Sequence, residues 1–323
     1  MVNIPKPGSV PSGPEADMSI VVEPAAGQAS PSAGHRVLLA ILLTVIGLGA
    51  LAVSLLGPLV LGLIEYHASA GAVGQVRGGD VAGLLLVAPT ALASAVLSWR
   101  GRRGAEALAV APAGYGLYMY AQLAVGGDIA RYDGNSERWF VLFWVLVTTC
   151  AAVLVVTVPR VLRDAAPAHP RRLERLAAWY LLVVALFLLV GLHLPGLADA
   201  WRAQPTSAEY LADPVVFWMV KLMDLAFVVP GAAAVGVGLL RSRGWAVRLL
   251  APMIGWSALL ASSVAGMAVV MLATGGPGAS AGLTIGFVGF AAVAIGLAAA
   301  AYRPVLRSAV PEATEKREEG RRP

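Results

Sequence analysis

The sequence predicts an all-α membrane protein, a bundle of eight transmembrane helices arranged as two parallel four-helix repeats. Of its 323 residues, 58% are hydrophobic and 13% are charged, whereas soluble domains carry about 25% charged residues. Apolar runs recur at the length of roughly 20 residues that a helix needs to cross a bilayer. Lys and Arg are concentrated in alternate connecting segments, as in multi-pass proteins.

Eight apolar segments are long enough to be spans. They cover 37–65, 81–99, 105–125, 139–158, 173–196, 215–240, 245–273 and 279–301. The third is interrupted by Pro112, Gly114 and Gly116, which membrane helices tolerate when neighbouring groups satisfy the freed backbone. The single cysteine, Cys150, falls in an apolar run and excludes an intramolecular disulfide.

The segments outside the spans divide the chain. Residues 1–35 are rich in Pro, Ser, Gly and Ala and predict a disordered cytoplasmic tail, in which Met18 is an alternative start. No basic stretch followed by a short apolar run opens the chain, so a cleaved signal peptide is not expected. The predicted order is tail 1–35, first repeat 36–160, cytoplasmic linker 161–172, second repeat 173–303 and disordered cytoplasmic tail 304–323.

The basic residues predict the orientation. With the N-terminus in the cytoplasm, the inner segments hold 19 of the 24 Lys and Arg residues, the outer segments hold four, and Lys221 lies within a span. This asymmetry predicts that both termini are cytoplasmic. It also accounts for the net charge of +5 without a nucleic acid partner. The excess of Arg over Lys is typical of GC-rich bacteria, so we expect a location in the bacterial inner membrane.

A shared pattern indicates the repeat. Pro89 and Pro230 are each followed by a basic turn, an Ala-Pro pair and a Gly-aromatic pair. Repeats of four spans have the same orientation, and in transporters a binding site often lies where such halves meet. Under this alignment Asp80 and Lys221 are equivalent, each nine residues before its proline. We therefore hypothesise that these two opposite charges approach one another or share a polar pocket.

Three motifs carry a resemblance to a known family. They are V-G-Q-V-R-G-G-D-V-A-G-L-L-L-V-A-P, G-Y-G-L-Y-M-Y, and D-L-A-F-V-V-P followed by L-L-R-S-R-G-W. The chain resembles, over most of residues 70–260, an uncharacterised family of multi-pass membrane proteins from GC-rich bacteria. The resemblance implies the membrane architecture and no catalytic residue. The order Gly244-Trp245-Ala246 departs from the family's pattern after the basic turn.

Charged residues within the spans are the main candidates for function. Lys221 and Asp224 are three residues apart and share one helix face, although a charge at the bilayer centre costs about 2.5–3.5 kcal/mol on insertion scales. They form either a cation or proton site or a self-neutralising pair whose lysine extends outward. Asp80, His193, Glu65 and Tyr118 fall at a similar level. Together they predict an outward-facing polar pocket, for which an interfacial polar belt is the alternative.

Other features carry weaker hypotheses. A bis-histidine haem and a two-histidine metal site are both disfavoured, so no cofactor and no metal is predicted. Gly278, Gly282 and Gly286 form a stripe that predicts close helix packing within the bundle, with homo-oligomerisation as the alternative. Neither a P-loop nor the H-E-x-x-H or G-x-S-x-G motif occurs, so an enzyme is the less favoured class.

Three functional classes remain open at this point. The leading hypothesis is an integral membrane protein that binds or transports a small solute or cation through the pocket between the repeats. The second is a non-transporting scaffold or partner subunit whose charges only fix helix packing. The third is a membrane enzyme or lipid binder without a recognisable motif.

Overall fold

A computed structural model describes residues 32–102, 104–276 and 279–307, and within these residues the chain is helical with no β-strand. Seven helices are long and apolar enough to cross a membrane. In chain order the long helices are α1 (Ala33–Leu56), α2 (Ala70–Trp99), α3 (Ala105–Val125), α4 (Ser136–Arg163), α5 (Arg171–Ala200), α6 (Pro214–Leu240), α7 (Gly244–Thr274) and α8 (Ala281–Arg307). The exception among them is α3, which is less apolar because it carries three tyrosines, Gln122 and Glu106. The count of eight spans therefore stays a prediction.

The described ends of the chain extend the first and last helices. The helix α1 begins at Ala33, where the Ser32 side chain accepts a hydrogen bond from the backbone N–H of His35. The helix α8 continues to Arg307, past the predicted boundary at residue 303. Most of the two tails that were predicted to be disordered, and Gly278, lie outside the described residues.

The first helix is shorter than predicted at its C-terminal end. It ends at Leu56 rather than at residue 65, and residues 57–69 form an irregular connection. Gly57 is extended, with φ −70° and ψ −173°, and it precedes Pro58, which disfavours helical geometry in the residue before it. The backbone N–H groups of Leu63 and Ile64 bond to the carbonyl of Leu56 instead. Hydropathy alone missed this break because the connection is itself apolar.

Three helices contain a π-helical turn. The turns are Gly83–Val87 in α2, Phe187–His193 in α5 and Asp224–Val228 in α6. A proline follows each turn within two residues: Pro89, Pro195 and Pro230. Proline has no N–H to donate to the preceding turn, and a wider turn there is a known cause of local bending in helices.

The buried apolar side chains form two clusters, one in each half of the chain. The first includes Leu43, Ile46 and Leu146 and draws almost entirely on α1–α4. The second includes Leu181 and Leu250 and draws on α5–α8. Each half thus has its own core, and large apolar side chains on the outside, such as Leu85 and Ile285, are left to face lipid.

The two halves meet mainly through α7, which packs along the first part of α2 and across α3. The contact with α2 is at backbone distance, since a Cβ on Gly78 would lie 2.3 Å from the backbone of Met267. The crossing with α3 uses Gly114, next to the Trp256 ring, and Gly255, next to Ala111. By contrast, the first part of α6 makes little contact with α3. The space left between them is the site described below.

Candidate functional site

A cavity of about 330 Å³ lies between the two halves. Its walls come from α2 and α3 of the first half and from α5, α6, α7 and α8 of the second. It extends from the end of the bundle where α2 and α6 begin to the level of Tyr180 and Ser257. The lining is mostly apolar with a few polar groups, and both the volume and this mixture are typical of sites for small molecules.

A buried network of three side chains forms the polar wall of the cavity. Asp224 accepts a hydrogen bond from the Tyr118 hydroxyl at 2.7 Å through Oδ1. Its Oδ2 lies 2.8 Å from Nε2 of His193. Asp224 and Tyr118 line the cavity, whereas His193 lies behind them and is 1% exposed. Each carboxylate oxygen of Asp224 therefore has one hydrogen-bond partner within the network.

The π-helical turns position this network. Asp224 is the first residue of the turn in α6, and His193 is the last residue of the turn in α5. Tyr118 reaches them from α3 in the other half of the chain. The sequence predicted Asp224, His193 and Tyr118 at one level, and the structure brings them together.

Lys221 does not pair with Asp224, so the expected ion pair is not formed. Among the described residues, no carboxylate oxygen lies within 4.0 Å of Lys221 Nζ. The ammonium instead lies 3.3 Å from the centroid of the Phe217 ring, and Gly196 leaves room for its stem. The two charges are three residues apart, but α6 changes to π geometry at Asp224, and that carboxylate is already held by His193 and Tyr118.

Asp80 and Lys221 are likewise not brought together. Asp80 is 5% exposed, and its Oδ2 is buried without a hydrogen-bond partner beside Gly57 of the first half. Lys221 is beside Gly196 of the second half, and neither residue lines the cavity. The structure therefore places Asp80 and Lys221 neither together nor in the cavity wall, because each one faces a neighbouring segment of its own half.

The two halves nevertheless place these residues against similar neighbours. Asp80 is beside Gly57, and Lys221, 141 positions later, is beside Gly196, which is 139 positions after Gly57. A Cβ added to Gly83 would meet the Ser54 hydroxyl. Gly83 corresponds in sequence to Asp224, which is hydrogen-bonded to His193. The π turn and the following helical segment, 83–87 and 88–99, recur 141 positions later at 224–228 and 229–240. Gly101 and Ser242, also 141 apart, are both left-handed, with φ of 67° and 56°.

Glu65 lies in the connection that covers the cavity end of the bundle and not in the cavity wall. Its backbone carbonyl accepts from Asn135, and its backbone N–H donates to the Asn135 side chain. In the same connection His67 Nδ1 faces the carbonyl of Tyr132 at 2.7 Å and Nε2 faces the Glu137 carboxylate at 2.7 Å. Two acceptors favour an imidazolium that donates twice. The hydrogen bond to Glu137 accordingly raises the pKa of His67 above its ordinary value.

Three further polar groups lie in the cavity wall, of which Tyr180 was not recognised as a candidate from the sequence. The hydroxyls of Tyr66 and Tyr180 and the amide Nε2 of Gln122 are buried and have no hydrogen-bond partner. Ser257 lies close to Tyr180, but no hydrogen bond joins them. A buried donor without a partner costs about 1–3 kcal/mol. Hydropathy could not single out these residues, since tyrosine and glutamine near a helix end are also typical of interfacial positions.

The predicted glycine stripe does not pack within the bundle. No atom of another helix comes within 4 Å of a Cβ built on Gly282 or Gly286, and both residues are exposed. The close helix contacts use Gly78 and Gly255 instead. A four-residue spacing identifies one helix face but not the direction in which that face points.

Comparison with known proteins adds no further constraint: no family model, no curated protein and no solved structure matches the chain. In the part of the chain that the structure describes, no group of three or more His, Cys, Asp or Glu side chains could hold a metal ion. The seven long apolar helices define the class as a multi-pass integral membrane protein. Its particular activity must be inferred from the cavity.

Proposed function

We propose that this protein binds a small, mainly apolar molecule in the cavity between its two halves. The observation that carries the proposal is the cavity of about 330 Å³, whose mostly apolar walls come from both halves. A packed helical bundle without a ligand does not gain from such a space, because the side chains around it lose van der Waals contacts. Binding a ligand restores those contacts.

The ligand's route is through lipid. Phe187, which lines the cavity, is 40% exposed, and Leu192 beside it is 44% exposed. This part of α5 touches α8 through aromatic rings, with Phe187 6.4 Å from Phe287 and 6.2 Å from Phe290 between centroids. The Phe187 and Phe287 rings meet edge to face and the Phe187 and Phe290 rings are stacked, and both contacts can open without breaking a hydrogen bond. The seam between α5 and α8 is therefore the access path for a lipid-phase ligand.

The cavity arises from a broken symmetry between two repeats. We take the similar neighbours of Asp80 and Lys221, and the π turns 141 positions apart, as support for a duplication of four helices. Gly78 lets α2 touch α7, whereas its counterpart 141 positions on is Met219, which lines the cavity. A long side chain in place of glycine holds α6 away from α3. This substitution accounts for a cavity on one side of the repeat axis and a closed contact on the other.

The cavity faces the outside of the cell in this proposal. The asymmetry of Lys and Arg supports cytoplasmic termini in a bacterial inner membrane. The cavity is then in the outer half of the bilayer, at the end where α2 and α6 begin.

The proposal is tested by filling the cavity. Ala261 lines it, so Ala261→Phe should exclude a ligand, while Ala292→Phe on the exposed side of α8 is the matched control. Native mass spectrometry of protein purified in mild detergent should detect a bound apolar molecule in the wild type and the control but not in Ala261→Phe. Equal occupancy in folded Ala261→Phe, checked by its melting temperature, would refute binding in this cavity.

Transport of the ligand is a second candidate. It is supported by the π turns, which lie at the cavity level in α2 and α6 and are frequent at functional, movable points of helices. In this scheme the halves move about their shared interface with α7. Uptake of the ligand into proteoliposomes would distinguish transport from binding alone. The scaffold hypothesis has less support, since a fully packed bundle with Lys221 bonded to Asp224 would have favoured it and the described residues show neither.

A further inference from the structure

The cavity wall contains three hydrogen-bond donors that have no acceptor. Tyr66, Gln122 and Tyr180 each line it, and each has a buried polar atom without a partner: the two phenol hydroxyls and the amide Nε2. All three can donate a hydrogen bond. The carboxylate of Asp224, by contrast, already has Tyr118 and His193 as partners. A ligand with acceptor oxygens would therefore satisfy these three donors.

The donors lie at opposite ends of the cavity. Tyr66 is in the connection that covers the outer end, and Gln122 is three residues before the end of α3. Tyr180 is on α5 at the deep end, near Ser257. Between them the wall is apolar, with the rings of Phe187 and Phe290 6.2 Å apart on one side. A ligand that satisfies both ends has an apolar, ring-like body with an acceptor oxygen at each end.

We propose that the cavity selects an uncharged cyclic dicarbonyl compound of the lipid phase, the chemical class of the alkylated quinones, through donation from Tyr66 and Gln122 at one end and Tyr180 at the other. This inference rests on the proposed function, because it names the ligand class of the same cavity. A ring with carbonyl oxygens at opposite ends accepts from both donor groups at once. Its uncharged body enters an apolar space without the desolvation that a charged ligand would require. Its alkyl chain leaves through the α5–α8 seam into lipid.

Two matched probes test the ligand class. One is 2-methyl-3-decyl-1,4-naphthoquinone, and the other is 2-methyl-3-decylnaphthalene, which has the same shape without the oxygens. Each is titrated into the detergent-solubilised full chain by calorimetry, with wild type, Tyr180→Phe and Tyr66→Phe. The matched control is Tyr302→Phe, whose hydroxyl bonds the carbonyl of Ala107 away from the cavity. Tyr66→Phe and Tyr180→Phe remove only an unpartnered hydroxyl, so both variants are expected to fold.

The result is the change in the ratio of the two affinities between variants, because the partition of each probe into the micelle is the same for every variant. Removal of either cavity hydroxyl should lower quinone affinity roughly 3- to 10-fold, the contribution of one hydrogen bond. Naphthalene affinity should not change, and Tyr302→Phe should change neither. If both probes bind and the ratio is the same in all variants, the donors are satisfied by water and the inference is overturned while the binding function stands. If neither probe binds the wild type, the inference is overturned, and retention of another molecule in the cavity-filling experiment then decides the binding function separately.

Discussion

His193 Nε2 lies 2.8 Å from Asp224 Oδ2, and in the first half of the chain Ser54 lies against Gly83, the residue 141 positions before Asp224. Gly83 and Asp224 are each the first residue of a π-helical turn, in α2 and in α6, and each contacts the preceding long helix. In the second half this contact is part of a hydrogen-bonded network of three side chains that reaches the cavity.

The Asp224 network should be important for stability. In Asp224→Ala, His193 and Tyr118 lose their buried partner, and the free energy of unfolding should fall by roughly 2–5 kcal/mol. His193→Ala should destabilise by a similar mechanism, and the double variant should lose less than the sum of the two. Denaturant titration in detergent measures the three variants. Additive losses would contradict a direct Asp224–His193 coupling.

Lys221 should behave in the opposite way. Its ammonium is buried over the Phe217 ring with no carboxylate within 4.0 Å among the described residues. Lys221→Met keeps the stem and removes the charge, so it forfeits a cation–π contact of about 0.5–2 kcal/mol and relieves a larger desolvation penalty. We expect a melting temperature equal to or above that of the wild type. A melting temperature well below it, by more than the cation–π contribution can explain, would show that Lys221 has an energetically important partner.

The glycine contacts give a matched pair of substitutions. A Cβ on Gly78 would lie 2.3 Å from backbone atoms of Met267, whereas nothing is within 4 Å of a Cβ on Gly286. Gly78→Ala must push α2 away from α7 and should destabilise by about 1–3 kcal/mol. Gly286→Ala should be neutral or slightly stabilising, because alanine is the better helix former. Thermal unfolding compares the two variants, and equal effects would mean that α2 and α7 are not in backbone contact.

His67 should make stability depend on pH at the cavity end. Hydrogen bonding to Glu137 raises its pKa from the ordinary value of 6.5. A group whose pKa is higher in the folded state contributes stability that is complete below pH 6.5 and is lost as the pH rises through the raised value. The wild type should therefore lose stability more steeply than His67→Gln as the pH rises above 6.5. Parallel curves of melting temperature against pH for the two proteins would refute this role.

The orientation of the chain in the membrane can be determined by labelling introduced cysteines. The native Cys150 is fully buried, so it should not react with the label. Arg202→Cys should react with a membrane-impermeant maleimide in intact spheroplasts. Arg172→Cys, at the other end of α5, should react only after permeabilisation. Both arginines are exposed, so a difference reports the side of the membrane. Labelling in the reverse order would overturn the assignment of cytoplasmic termini.

The sequence by itself determined the class and most of the helices. Hydropathy and length predicted α6 within a residue, because apolar length is a local property that lipid selects directly. The predicted bounds of α3, 105–125, also agree with the structure, although α3 is less apolar than the other long helices. The spacing of Pro89 and Pro230 also predicted where corresponding elements recur. The end of α1 was missed, since Gly57-Pro58 breaks the helix inside an apolar run.

Only the tertiary structure decided which charges meet. Sequence spacing put Lys221 beside Asp224 and paired Asp80 with Lys221, but a partner is chosen by the neighbouring helix, and here Asp224 bonds His193 and Tyr118. The direction of the Gly282–Gly286 face and the separation caused by Met219 depend in the same way on how helices are rotated against one another. In a bundle whose surfaces are apolar on every side, hydropathy carries little information about that rotation.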